Sequence, residues 1–274
     1  MKRLFILIRR IIHYYTGRQI PLASAALCYY MTVTVFPLII CLYTLLGYNY
    51  DRAMSILNFA DEFMNEGTIR IIRAFLSYVE DNHSTGMFFA GLTVLVTSAS
   101  AGVRSMQITI GRMQGGQRYT GLVGFLFSVV FSVVFLTALW FAILTMFTSK
   151  ELLNLLNEKI PFVDISGGWL WIRYLLLAGI MFLILWGIYR VSRKQGIAYP
   201  TWPGALLATI GIVGMSLLFS MFIAASARYP LVYGSLASMI LLMLWMFFIC
   251  QVIYIGAAFN ISLQDMKQKE EETL

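Results

Sequence analysis

The sequence predicts an all-α membrane protein: six transmembrane helices, an N-terminal interfacial amphipathic helix, and an external helical hairpin between spans one and two. Two observations lead there. Residues of the AVILMFWYC set make up 59% of the 274-residue chain and charged residues 12%, against roughly 45–50% and about 25% in soluble domains. The few charges also cluster, leaving uncharged runs at 19–50, 82–103, 119–149, 195–227 and 229–264, each longer than the ~18 apolar-rich residues that suffice to cross a bilayer. A shorter run, 174–189, is bounded by Arg173 and Arg190, whose stems can carry their guanidinium groups out to the headgroups, so it counts as the sixth span.

The N-terminal segment is read as a helix lying in the interface. Leu4, Leu7, Ile8, Ile11, Ile12 and Tyr15 recur at helical spacing, with Lys2, Arg3, Arg9, Arg10 and His13 mostly elsewhere around the wheel. A signal peptide is not expected, because Arg9-Arg10 interrupts the apolar run and no small-residue cleavage pattern follows. Spans are expected at about 23–48, 86–110, 121–148, 170–190, 203–226 and 236–262, forming one membrane domain over 1–264 with a charged tail at 265–274. Pro37 in span one leaves the Val33 carbonyl without its helical donor, which predicts a kink beside Thr32 and Thr34. The external hairpin is drawn from two amphipathic stretches, 53–64 and 69–79, and a further short external helix from Leu152 to Ile160. Pro203-Gly204 opens span five, and a short turn carrying Tyr233-Gly234 leads to span six.

Six spans place the N-terminus, the 111–120 and 190–202 loops and the C-terminus on one side. That side holds 13 Lys and Arg, the other 7: Arg52, Arg70, Arg73, Lys150, Lys159, Arg173 and Arg228. Positive residues gather on the cytoplasmic face, so both termini are expected inside a cytoplasmic (inner) membrane, facing anionic lipid headgroups. The net charge of +7 needs no nucleic-acid partner, since a cytoplasmic excess is general to multi-span proteins.

Catalysis is not expected. His13 and His83 are predicted on opposite sides, and no span contains an Asp or Glu, which leaves no triad, zinc nest or two-metal carboxylate site to assemble. No cofactor or metal is expected either. Cys28, Cys41 and Cys250 fall inside spans and read as small apolar packing. What remains is the intramembrane polar set: Thr32, Thr34, Ser98, Ser100, Arg104, Gln107, Ser216, Ser220, Gln251 and Asn260. Such groups serve either as interhelical hydrogen-bond glue or as a substrate path. Arg104 stands out because it follows the small-residue run Thr97-Ser98-Ala99-Ser100-Ala101-Gly102; an anionic substrate or headgroup would neutralise it, and snorkelling to the interface would also accommodate it.

Several stretches together resemble one family. They are Ala25-Ala26-Leu27-Cys28-Tyr29-Tyr30 with Phe36-Pro37-Leu38, Ser98-Ala99-Ser100-Ala101-Gly102-Val103-Arg104, Tyr189-Arg190, Pro203-Gly204-Ala205, Tyr229 with Tyr233-Gly234-Ser235-Leu236, Trp245, and Gly256-Ala257. In order and spacing the chain is similar to the YihY/virulence factor BrkB family of inner-membrane proteins, formerly labelled ribonuclease BN. The resemblance implies six spans, a nuclease label that is a misassignment, and, for some members, roles in envelope integrity, serum resistance and lipid export. Many relatives carry Glu after the Gly-Ala pair, where this chain has Ala258. The leading functional expectation is transport or translocation of an amphipathic, lipid-like anionic molecule. The alternative is a non-transporting scaffold that recruits envelope partners through residues 53–80, and the third reading is a ribonuclease.

Orientation is testable by labelling. Single cysteines at Asn82 or Ser166, in a background lacking the native cysteines, should react with a membrane-impermeant reagent added outside. Those at Gln117 and Gln195 should stay unmodified, and the reverse pattern would invert the topology.

Overall fold

The computed structural model describes residues 2–48, 77, 84–116, 121–146, 165–193, 199–225 and 235–271. They form seven helices: α1 (Lys2–Gly17), α2 (Ile20–Tyr48), α3 (Thr85–Met113), α4 (Gly121–Met146), α5 (Ile165–Val191), α6 (Trp202–Ala225) and α7 (Ser235–Glu271). There is no strand among the described residues. Five stretches are long and apolar enough to cross a membrane: Ile20–Cys41, Thr85–Met113, Tyr174–Val191, Trp202–Ile223 and Met239–Met266. The arginine-bounded fourth span is thus a full-length apolar helix, while α4 contributes a shorter apolar stretch, Leu122–Ala138. Apart from Ser77, the external hairpin at 53–64 and 69–79 lies outside the described residues, as do the helix at 152–160 and the Tyr233-Gly234 turn.

The chain divides into two compact units, Tyr30–Ala99 and the remainder, Met1–Tyr29 with Ser100–Leu274. In the smaller unit α2 and α3 touch where a small residue permits it. A β-carbon on Gly91 would lie 3.0 Å from Ile40 Cγ2 and 3.4 Å from Cys41 Sγ, so the Ile40 and Cys41 side chains pack onto the bare backbone of α3. Helix α2 runs through Pro37. In the turn before it, Thr34 Oγ1 donates to the Tyr30 carbonyl at 2.7 Å, one turn below the Val33 carbonyl that the proline deprives of a donor.

The larger unit is organised around a three-helix crossing. Gly204 of α6 and Gly256 of α7 meet backbone to backbone: a β-carbon on Gly204 would collide with the Gly256 carbonyl and the Asn260 amide. One on Gly256 would stand 2.6 Å from the Gly204 carbonyl, 2.8 Å from Ala208 Cβ and 2.9 Å from the Tyr189 hydroxyl of α5. Ala205, Ala208, Ala257 and Ala258 complete a buried alanine layer. Tyr189 closes it by donating to the Ile253 carbonyl at 2.6 Å.

Asn260 finishes the crossing. Its Oδ1 accepts from the Gly204 N–H at 2.7 Å and its Nδ2 donates to the Thr201 carbonyl at 2.8 Å. The first N–H groups of any helix lack intrahelical acceptors. Here a side chain from α7 takes the part that an N-cap residue of α6 would ordinarily play.

Two helix ends follow local rules. Helix α3 stops in a Schellman arrangement, with Gly115 at φ 73°, Gly116 N–H donating to the Gly111 carbonyl at 2.9 Å and Gly115 N–H to the Arg112 carbonyl at 3.3 Å. The glycines at 111–116 therefore terminate a helix. By contrast, α7 continues past Asp265 to Glu271, through residues that the sequence alone set apart as a tail.

The crossing is open to test by thermal unfolding in detergent. Gly204→Ala should lower the melting temperature, whereas Gly214→Ala, where a β-carbon meets nothing within 4 Å, should be neutral or raise it, since alanine is favoured in helices by about 0.5–1 kcal/mol. Asn260→Leu should cost roughly 1–3 kcal/mol by stranding the Gly204 donor.

Candidate functional site

The intramembrane polar residues resolve into three groups. Some are spent locally: Thr34 bonds within its own helix and Ser98 Oγ donates to the Leu95 carbonyl at 3.1 Å. Thr32 is buried in α2. A second group locks helices together. Gln251 Oε1 accepts from the Tyr15 hydroxyl at 3.2 Å, and Asn260 caps α6 as described. Pro37, Gly102, Gly204 and Gly256 are buried and Pro203 is half-buried in the first turn of α6. Ala258, where many relatives carry Glu, is fully buried.

The third group lines the seam between α3 and α4. Ser100 and Ser132 share a 3.0 Å hydroxyl–hydroxyl bond, and Ser128 Oγ lies 3.3 Å from Gln107 Oε1. Ser128 and Ser132 also bond back to the carbonyls of Gly124 and Val129. Pairing 100 with 132 and 107 with 128 makes α3 and α4 antiparallel. Along α3, residues 100, 104 and 107 follow i, i+4, i+7, so Arg104 projects on this same side. Unlike its neighbours Gly102, Val103 and Met106, which are buried, Arg104 is exposed. It makes no ion pair or hydrogen bond with any described residue. Gln107 Nε2 is buried and also lacks a partner among them. The guanidinium and the amide N–H groups are donors only; the guanidinium is open beside the seam, and the Gln107 amide nitrogen is enclosed in it.

The depth of Arg104 matters. Gln114, just past the end of α3, donates through Nε2 to the Tyr199 hydroxyl at 2.8 Å. Ten residues separate Gln114 from Arg104, or about 15 Å and nearly three turns of helix. The guanidinium thus starts well inside the level of the helix ends.

At those ends a second polar cluster gathers. Tyr14 of α1 donates to Asp265 Oδ2 of α7 at 2.8 Å, and Arg10 Nη1 stands 3.7 Å from the same oxygen. Arg193 donates to the Tyr199 carbonyl at 3.2 Å and lies over its ring, 5.9 Å from the centroid. Burial, followed by the Asp265 carboxylate that accepts its proton, pushes Tyr14 up to about 12. Burial likewise raises Tyr199, with Arg193 pulling the other way.

Sequence reasoning missed Ser128, Ser132, Tyr14, Gln114, Tyr199 and Asp265. The two serines had a readable signal, an i, i+4 hydroxyl pair in an otherwise apolar helix. Tyr14 and Asp265 are 251 positions apart, and nothing in either neighbourhood announces the other.

The family model of virulence factor BrkB matches residues 11–274. The chain belongs to that family. It is 22% identical over 261 residues to YfkH of Bacillus subtilis (strain 168), a protein named ribonuclease-like, with 94% of this chain and 95% of that relative covered. No solved structure matches. BrkB-family membership and the run of long apolar helices make this a membrane protein. No three His, Cys, Asp or Glu side chains among the described residues come close enough to hold a metal ion.

The Tyr14–Asp265 contact gives a titration forecast. A raised phenol pKa means the folded state favours the neutral form, so its stabilisation is complete below pH 10 and lost as pH rises through about 12. In an ultraviolet titration of tyrosinate, the increment missing from Tyr14→Phe should come from the alkaline end of the wild-type curve. Asp265→Ala should move that increment back toward 10.

Proposed function

We propose that this BrkB-family protein crosses the inner membrane six times with both termini in the cytoplasm, and that it binds and translocates an amphipathic, lipid-like anionic molecule along the α3–α4 seam. The observation that carries the reading is Arg104: exposed, unpaired among the described residues, and about 15 Å inside the end of α3. An unneutralised arginine within the hydrocarbon is costly, and such residues ordinarily mark a pathway or a partner. No Asp or Glu occurs in any span, so the partner with the right charge comes from outside the protein. A phosphate or carboxylate headgroup would meet the planar fork of Arg104, with the buried Gln107 amide one turn away.

The span count rests on α4. Its 26 residues contain no charge and extend about 39 Å, enough for a ~30 Å hydrocarbon core. Its antiparallel pairing with α3 and the return of α5 to the Tyr199 end support a crossing. The cytoplasmic assignment follows from the 13 to 7 distribution of Lys and Arg.

Purified protein in liposomes should move a headgroup-labelled anionic phospholipid across the bilayer faster than empty vesicles do. Arg104→Lys should slow this about tenfold at normal protein levels, since lysine is a point charge without the fork. Arg112→Lys, in the last turn of α3 and exposed, should retain wild-type rates. No movement above empty vesicles, or equal loss at both arginines, would overturn the reading. Recovery of envelope proteins through residues 53–80 would then favour a scaffold, and chelator-sensitive RNA degradation would favour the activity in the name of YfkH.

A further inference from the structure

Helix α1 uses two faces, and the transport reading accounts for neither. One stripe, Leu7, Ile11 and Tyr14, is half-buried. It is tied to α7 through the Tyr14–Asp265 bond and the Arg10–Asp265 contact, with Tyr15 reaching Gln251 beside it. The opposite stripe, Phe5, Ile8 and Ile12, recurs at i, i+3, i+7 and is 69%, 47% and 57% exposed. Nine residues at 100° each place Tyr14 half a turn from Phe5. Exposed Arg9 and His13 flank this outer stripe. A sequence template that gathered Leu7, Ile8, Ile11 and Ile12 into one apolar face is thus divided by the fold into a protein-facing and an outward half.

We propose that the outward face of α1 is a docking surface for an anionic phospholipid leaflet, and that the Asp265 latch sets the rotation of α1 so that Phe5, Ile8 and Ile12 insert while Arg9 meets the headgroups. Charge chooses this occupant. The first 18 residues hold five Lys and Arg and no Asp or Glu, the composition of helices that lie in a bilayer interface and favour anionic lipid. The latch matters because it adds to the Tyr15–Gln251 bond a second fixed point on α1, close to a link in which only Arg18 and Gln19, the latter at φ 53°, separate Gly17 from the fully buried Ile20 of α2. The surface is independent of Arg104, so either reading can fail without the other.

The test uses the full chain in nanodiscs of phosphatidylcholine with or without phosphatidylglycerol. An environment-sensitive fluorophore is attached to Ile12→Cys or, in a second variant, Ile11→Cys, and wild-type protein with its three buried cysteines supplies the labelling background. The label at 12 should shift to the blue and be quenched by nitroxide lipids when phosphatidylglycerol is present, and the label at 11 should change little. Arg9→Gln should weaken the response at 12 about fivefold, the effect of one cation near an anionic surface. Asp265→Ala should erase the contrast between 11 and 12. A label at 12 that stays in water in both lipids, responds equally to both compositions, or matches position 11 in the unlatched and latched proteins alike would overturn the proposal. A response set by protein density and indifferent to lipid would do the same, pointing to a second copy as the occupant.

Discussion

Everything in the larger unit depends on how closely α6 and α7 approach at Gly204 and Gly256. Inside a membrane the hydrophobic effect does not press helices together, because lipid tails are as apolar as leucine. Association has to come from close packing and hydrogen bonds, and both are concentrated at this crossing. The two glycines let the backbones touch, the surrounding alanines keep the layer thin, and Tyr189 and Asn260 convert the contact into directed bonds. Asn260 is only 2% exposed, a placement that would be costly for an amide without partners. With both its oxygen and its nitrogen engaged, it becomes a fastener.

The same economy of polar groups explains the α3–α4 seam. Ser132 bonds to its own helix and takes a second bond from Ser100 of α3, while Ser128 shares its one proton between the Gly124 carbonyl of its own helix and Gln107 Oε1 of α3. Each pair contributes on the order of 1 kcal/mol, enough to set register between two helices whose other contacts are aliphatic and unselective. Register in turn sets where Arg104 emerges. Because the pairs lie above and below it on the same side of α3, the guanidinium opens beside the seam and is not enclosed by it. The structure thereby separates residues that the sequence grouped: Ser98 and Thr34 return to their own backbones, Gln251 and Asn260 hold helices, and Arg104 with the Gln107 amide stays unspent.

Asp265 shows how a residue changes meaning with its neighbours. Read along the chain, it opens a highly charged stretch with no apolar period. In the fold it accepts a hydrogen bond from Tyr14 and faces Arg10, and α7 remains helical beyond it to Glu271. Tertiary contacts with α1 support a segment whose own periodicity does not call for burial.

The all-helical membrane character, the positions of most helices and the uneven spread of cations were legible in the sequence, because each is set by solvent. A bilayer admits only backbones that satisfy their own hydrogen bonds, so a long uncharged run has one available structure and its length announces it. Arg104 and Asn260 were legible as exceptions to that rule for the same reason. Their roles were not. Whether an intramembrane polar group serves as cap, fastener or open donor depends on which atom of which other helix stands within 3 Å, and that is decided by helix rotation and register. Those depend on sub-ångström fits such as Gly204 against Gly256, between positions 52 residues apart, and a single chain read alone carries no record of such pairs. The solvent wrote the helices into the sequence, and only packing in three dimensions decided what their polar residues do.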